Sequence, residues 1–132
     1  MPLGFHHTPL IIFSPGLTQE PRPYDCFGGQ MDIFPTVMGL MNLSYVNNTM
    51  GIDLLKEKRP YIYFTADEKI GCIGKEFYFI HRMNGVESLY KYADLAQDNY
   101  LDQFKARADS MRTYAFSMLQ TTQWMVEREK FS

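Results

Sequence analysis

The sequence predicts an α+β fold: a short helix, an antiparallel meander and a long C-terminal helix, preceded by one apolar strand. Three observations carry this. Residues 61–64, "YIYF", and 76–81, "EFYFIH", are aromatic and β-branched, as strands prefer. Asn84-Gly85 sits between "FYFIHRM" and "VESLYKY", a strong two-residue hairpin signal. Phe104, Ala108, Met111, Ala115, Met118, Leu119, Thr122, Met125 and Val126 recur at helical spacing with no glycine or proline between them.

The chain has 132 residues, 45% hydrophobic and 15% aromatic, which suits one domain with its own core. A net charge of −2 gives no basic excess to offset a phosphate backbone, so nucleic acid is not an expected partner. No run reaches the roughly 18 apolar residues of a membrane span. The opening "MPLGFHHTPLIIF" has neither the basic region nor the cleavage site of a signal peptide. Cys26 and Cys72 either pair or stay as two free thiols; both readings stand.

Along the chain, Leu10, Ile11, Ile12 and Phe13 form an unbroken apolar run closed by Ser14-Pro15-Gly16. Without alternation, both faces read as buried, the pattern of a strand inside a parallel sheet. A parallel neighbour needs a crossover of about a dozen residues or more, and only residues 1–9 precede this run. The strand is therefore expected to be orphaned, its sheet supplied from elsewhere. Residues 17–31 read as a loop.

A helix is expected to follow Asp32, with Pro35 in its first turn, where the missing N–H would have no intrahelical partner. Asp32 is placed to cap it, and Gly28 and Gly29 to give the loop conformations closed to other residues. These four are read as structural: Asp32 as a cap rather than a catalyst, Thr36 as a local hydrogen-bonder. Ile33, Val37, Leu40 and Met41 share one face of this helix. Asn47-Asn48-Thr49 matches a glycosylation sequon, a pattern too short to carry weight. The expected units are residues 8–55, a meander of three or four strands over 60–92 with "IGCIG" as a further strand, and a packing helix over 99–129 laying its methionine stripe on the meander.

No catalytic set emerges. His6 and His7 are adjacent, so in an extended segment they point to opposite faces and cannot clasp one metal. His81 reads as a packed or edge histidine. Asp53, Asp67, Glu68 and Glu87 read as solvated turn acids. No HxxxH, HxH, CxxC or GxSxG spacing occurs, so no metal residue is assigned in the chain.

The order of motifs adds a resemblance. "TPLIIFSPG" (8–16), "GGQMDIFPTVMGLMNL" (28–43) and "MGIDLL" (50–55) together resemble the C-terminal part of the sulfatase-like branch of the alkaline phosphatase superfamily. The closest look is to phosphoglycerol transferases of the lipoteichoic acid synthase type, favoured over sulfatases by Gly28-Gly29-Gln30. "ESLYKY" (87–92) is similar to a strand that ends many sulfatase chains. The resemblance implies a parent enzyme of the cell envelope that cleaves or transfers sulfate or phosphate esters with a hydroxyl-type nucleophile and a divalent metal (manganese, calcium, magnesium or zinc). In that family the nucleophile and the Asp-His metal pair lie before the "PLII" strand. The chain is then expected to be an inert C-terminal portion whose main partner is the absent catalytic part, and which self-associates when isolated. His6 and His7, leaving the metal site, are the candidate substrate-binding residues. The alternative expectation is a stand-alone binding or oligomerisation module.

Overall fold

The computed structural model describes residues 7–17, 20–94 and 98–130. It is an α+β structure. A 3-10 turn, Gln30–Asp32, runs into α1, Ile33–Leu40; four strands follow, β1 Ile62–Ala66, β2 Lys69–Ile73, β3 Phe77–Arg82 and β4 Glu87–Lys91; α2 spans Lys105–Lys130. The strands pair antiparallel in chain order, a simple meander.

Alternation along each strand sorts the sheet into two faces. Cys72, Phe79 and Leu89 stand in register on one face and meet Ala108, Met111 and Ala115 of α2; all six are fully buried. Phe77 joins them, and Tyr61, Tyr63, Ile70 and Tyr114 close the rim. Two alanines in this stripe let α2 lie close on β1, β2 and β3. The Tyr63 hydroxyl reaches Thr122 Oγ1 at 2.7 Å and pins a later turn of the helix.

The two-residue turn expected at Asn84-Gly85 lies elsewhere in the meander. Asn84-Gly85 does not form a two-residue turn. The Gly85 N–H donates to the Arg82 carbonyl and the Arg82 N–H to the Val86 carbonyl, and only Gly85 has positive φ, +82°. That is a three-residue loop ending in a left-handed glycine, the next commonest hairpin connection. The two-residue turn with two positive φ values is instead Asp67-Glu68, at +46° and +59°, between Ala66 and Lys69.

Three further expectations change. Residues 10–13 are in no strand of the described structure; Ile11 and Phe13 are 83% and 86% exposed. An apolar run records a need for burial, and no neighbour within the described residues meets it. The apolar face of α1 is only partly covered: Val37 and Leu40 are half-buried, while Ile33 at its start and Met41 just past its end are exposed. Pro35 and Thr36 are its buried residues, whereas Phe34 is exposed. Finally, α2 starts at Lys105 rather than 99, because the preceding segment serves the sheet. Asn99 Oδ1 accepts from the Leu89 N–H and the Tyr100 N–H donates to the Leu89 carbonyl, covering the free edge of β4. At 26 residues and about 39 Å, α2 outruns strands about 17–20 Å long, so Trp124 and Val126 extend beyond the core and stay exposed.

Cys72 and Cys26 are free thiols, the first buried in the core and the second exposed. Burial pushes the Cys72 thiol up to about 12.

Leu89 of the edge strand β4 is fully buried in the core between the sheet and α2. Leu89→Ala is expected to destabilise the fold by about 2–5 kcal/mol, measured by urea denaturation.

Candidate functional site

The residues singled out in "GGQMD" converge on one buried polar node. Asp32 is completely buried, and its carboxylate meets the guanidinium of Arg59, itself 7% exposed. The pair is bidentate: Arg59 Nε donates to Oδ2 at 2.9 Å, and Nη2 donates to Oδ1. Each carboxylate oxygen accepts one backbone N–H as well, Gly29 to Oδ2 and Ile52 to Oδ1, both at 2.9 Å. Four donors therefore saturate two oxygens. Two of the three remaining N–H groups of Arg59 go to the Met50 carbonyl at 2.7 Å and the Tyr114 hydroxyl at 3.1 Å. Burial works against the guanidinium charge. The hydrogen bonds to Asp32 and Tyr114 outweigh that effect and hold its pKa above the ordinary value.

Thr36 adds a second tie. Its hydroxyl donates to the Asp32 carbonyl at 2.7 Å and accepts the Leu54 N–H at 3.0 Å. Close approach makes these bonds reachable. A Cβ on Gly51 would meet the Met31 carbonyl oxygen at 2.0 Å, and one on Gly28 would meet Leu54 Cδ1 at 2.3 Å. Pro35 lies on the buried side of α1 against Gly51.

Several expectations are corrected here. Asp32 is the N-cap residue of α1 but makes no side-chain cap bond to it; its oxygens turn back to Gly29 and across to Ile52 and Arg59. Gly29 has ordinary extended backbone, φ −116° and ψ 174°, so it is not required for a left-handed conformation. Gly28 has no positive φ and makes room for the Leu54 side chain. The sequon asparagine is occupied in its own turn, Oδ1 accepting from Thr49 and Nδ2 donating to the Gly51 carbonyl. Thr36 is the local hydrogen-bonder expected.

A second cluster ties the sheet to α2. Arg112 donates from Nε at 2.7 Å and from Nη2 to the two oxygens of Glu87, and from Nη1 to Asp109. His81 Nδ1 lies 3.0 Å from Glu87 Oε1, and its ring meets Phe116 edge-on. Glu87 is thus no solvated turn acid. The Arg112 hydrogen bonds hold its carboxyl below the usual range against the opposing effect of burial, and His81 adds to them. The same contact keeps the Arg112 pKa well above its ordinary value.

Sequence reasoning missed Arg59 and Arg112. Each pairs across 25 residues or more, 27 for Arg59–Asp32 and 25 for Arg112–Glu87, and no local pattern announces such a partner.

Neither cluster offers a metal or a substrate an open ligand set. Both oxygens of Asp32 and of Glu87 are held by arginines, and no group of three His, Cys, Asp or Glu suited to a metal occurs among the described residues. The divalent ion that the sequence resemblance implies therefore does not fit these residues. His7 is exposed and stands apart from both clusters, and His6 lies outside the described residues. No helix of the described residues is long and apolar enough to cross a membrane. Models of known protein families give no match to the chain, and no curated protein matches it.

In chemical terms the Asp32 node is a brace. Asp32→Ala and Arg59→Met each leave a buried charge without its counter-charge and are each expected to lose about 3–5 kcal/mol. The double variant is expected to lose clearly less than their sum in urea denaturation; additive losses would contradict the brace.

For Glu87 the sign follows from its lowered pKa. Its contribution is present above the unfolded carboxyl value of about 4.3 and is lost as pH falls through the folded value. The stability gap between the parent chain and Arg112→Gln is expected to be present at pH 7 and to shrink as the pH is taken below about 4.

Proposed function

We propose that the chain is the structural C-terminal portion of a metal-dependent, sulfatase-like enzyme, closest in type to phosphoglycerol transferases, that acts on sulfate or phosphate esters. One observation supports the reading: apolar side chains of residues 10–13 and on one side of α1 are left largely open to solvent. Ile11 and Phe13 are more than four-fifths exposed, and Ile33, Phe34 and Met41 present a second apolar surface. Burying one such side chain is worth about 1.5–3 kcal/mol, so this surface favours a partner.

The partner in this reading is the missing catalytic part. Residues 10–13 would complete its sheet, α1 would lie against it, and the brace at Asp32 would fix the angle between the two. The meander and α2, with their own core, would form a wall beside the cleft. The nucleophile and the divalent ion, whether manganese, calcium, magnesium or zinc, belong in this proposal to that other part. His6 and His7 lie in the segment before residues 10–13 and are this chain's candidate substrate-binding residues in this reading.

The reading frame tests this. The codons upstream are expected to encode an Asp-His pair and a hydroxyl nucleophile in frame, and a frame without them overturns the proposal. The purified chain, given p-nitrophenyl sulfate or p-nitrophenyl phosphate with manganese, is expected to show no turnover above the blank. Light scattering should show it self-associating, and Ile11→Ser with Phe13→Ser should return it to a monomer. Turnover by the chain alone, or a strict monomer before substitution, would count against the reading.

A further inference from the structure

The sheet face turned away from α2 carries an arrangement that neither the brace nor the proposed parent uses. Lys69 of β2 and Arg82 of β3 stand directly opposite each other. Both are half-buried, and neither has a carboxylate within ion-pair distance among the described residues. Like charges facing each other across a ladder are destabilising. The carboxylates nearest in sequence, Asp67 and Glu68, lie in the exposed turn before Lys69.

Arg82 is meanwhile held in place by hydroxyls. Its Nη1 donates to Ser88 Oγ at 2.8 Å, and Ser88 is 5% exposed. Tyr90 stands two residues along β4 on the same face, and its polar neighbours, Ser88 first and then the Arg82 guanidinium, lower its pKa against the effect of burial. Two cations and two hydroxyls thus share one patch.

Beside it runs a row of tyrosine rings. Tyr78 lies 5.0 Å from Tyr90 and 5.6 Å from Tyr92, centroid to centroid. Tyr78 is buried and backs the row, whereas Tyr90 is half-buried and Tyr92 is 40% exposed. A guanidinium fork recognises an oxyanion in two-point fashion, an ammonium adds charge, and an exposed aromatic ring offers an apolar face.

We propose that Lys69, Arg82, Ser88 and Tyr90 form a binding site for a phosphate or sulfate ester carried on a sugar, with the sugar ring resting on Tyr90 and Tyr92. The oxyanion lies between Lys69 and Arg82 and relieves their repulsion. The site does not rest on the reading of the chain as part of a larger enzyme, because every residue in it belongs to the self-contained sheet.

The test is titration of the full chain, followed by amide NMR, with glucose 6-phosphate, glucose 6-sulfate, inorganic phosphate, glucose and sodium chloride at matched ionic strength. Saturable shifts are expected at Lys69, Arg82, Ser88 and Tyr90 with the three oxyanions and not with glucose or chloride. The ratio of the two sugar esters assigns phosphate or sulfate. Lys69→Glu is expected to weaken glucose 6-phosphate at least about tenfold, the loss of one charge-assisted contact and its reversal. Arg82→Lys, which keeps the charge but loses the fork, should weaken it while leaving the spectrum dispersed. Tyr92→Ala should weaken the sugar ester several-fold and spare inorganic phosphate. Shifts that chloride reproduces, or binding that Lys69→Glu and Arg82→Lys leave unchanged, would overturn the site. Equal loss of both ligands in Tyr92→Ala would overturn the sugar platform.

Discussion

A carboxylate with no access to water governs this structure. Asp32 can remain charged in the interior only if its oxygens are matched, and the chain matches them with the forked guanidinium of Arg59 and the N–H groups of Gly29 and Ile52. The contacts come from three separate stretches of chain, and Arg59 extends the set to α2 through Tyr114. A buried ion pair adds little net stability over an apolar pair of the same volume, because desolvation offsets the attraction. Its effect is on geometry: four donors around two oxygens admit very few alternative placements of the loop, α1 and the turn after Gly51.

That constraint explains a division in the molecule. The meander and the first half of α2 have an ordinary apolar core, centred on Phe79, Leu89 and Met111. The stretch from residue 28 to 59 has almost none. Its fully or nearly buried side chains include Asp32, Thr36 and Arg59, and it is held by hydrogen bonds rather than by packed hydrocarbon. Polar bonding through Thr36 shares the inner side of α1 with Pro35, and much of the helix's hydrocarbon stays open, Ile33 and Phe34 among it. A unit built this way is well suited to present an apolar surface at a set angle, which is what the proposed attachment to a catalytic sheet requires.

Much of the fold was legible because it is written at short range. The aromatic alternation of β1 and β3 and the three-and-four spacing of α2 are local periodicities, and each produced its element. The two tight turns show the limit of that reading. Asn84-Gly85 has the residues of a two-residue turn but closes as a longer loop, while Asp67-Glu68 adopts the paired left-handed conformation without a glycine, because the register from Ala66 to Lys69 leaves only two residues to turn. Residues 10–13 mark another limit, since their composition reports a demand for burial without saying who supplies it. The importance of Asp32 was visible in its setting among glycines and a proline. Its role was not, because the decisive partner lies 27 residues away in "EKRP", where an arginine reads as one more solvated charge.

If the brace joins the two parts into one cooperative unit, the amides it captures must share the stability of the core. Native-state hydrogen exchange measures this directly. The Gly29 and Ile52 amides are predicted to open with the same free energy as the Phe79 and Cys72 amides at the centre of the sheet. Exchange of Gly29 and Ile52 at the pace of exposed loop amides, with Phe79 and Cys72 still protected, would contradict the account.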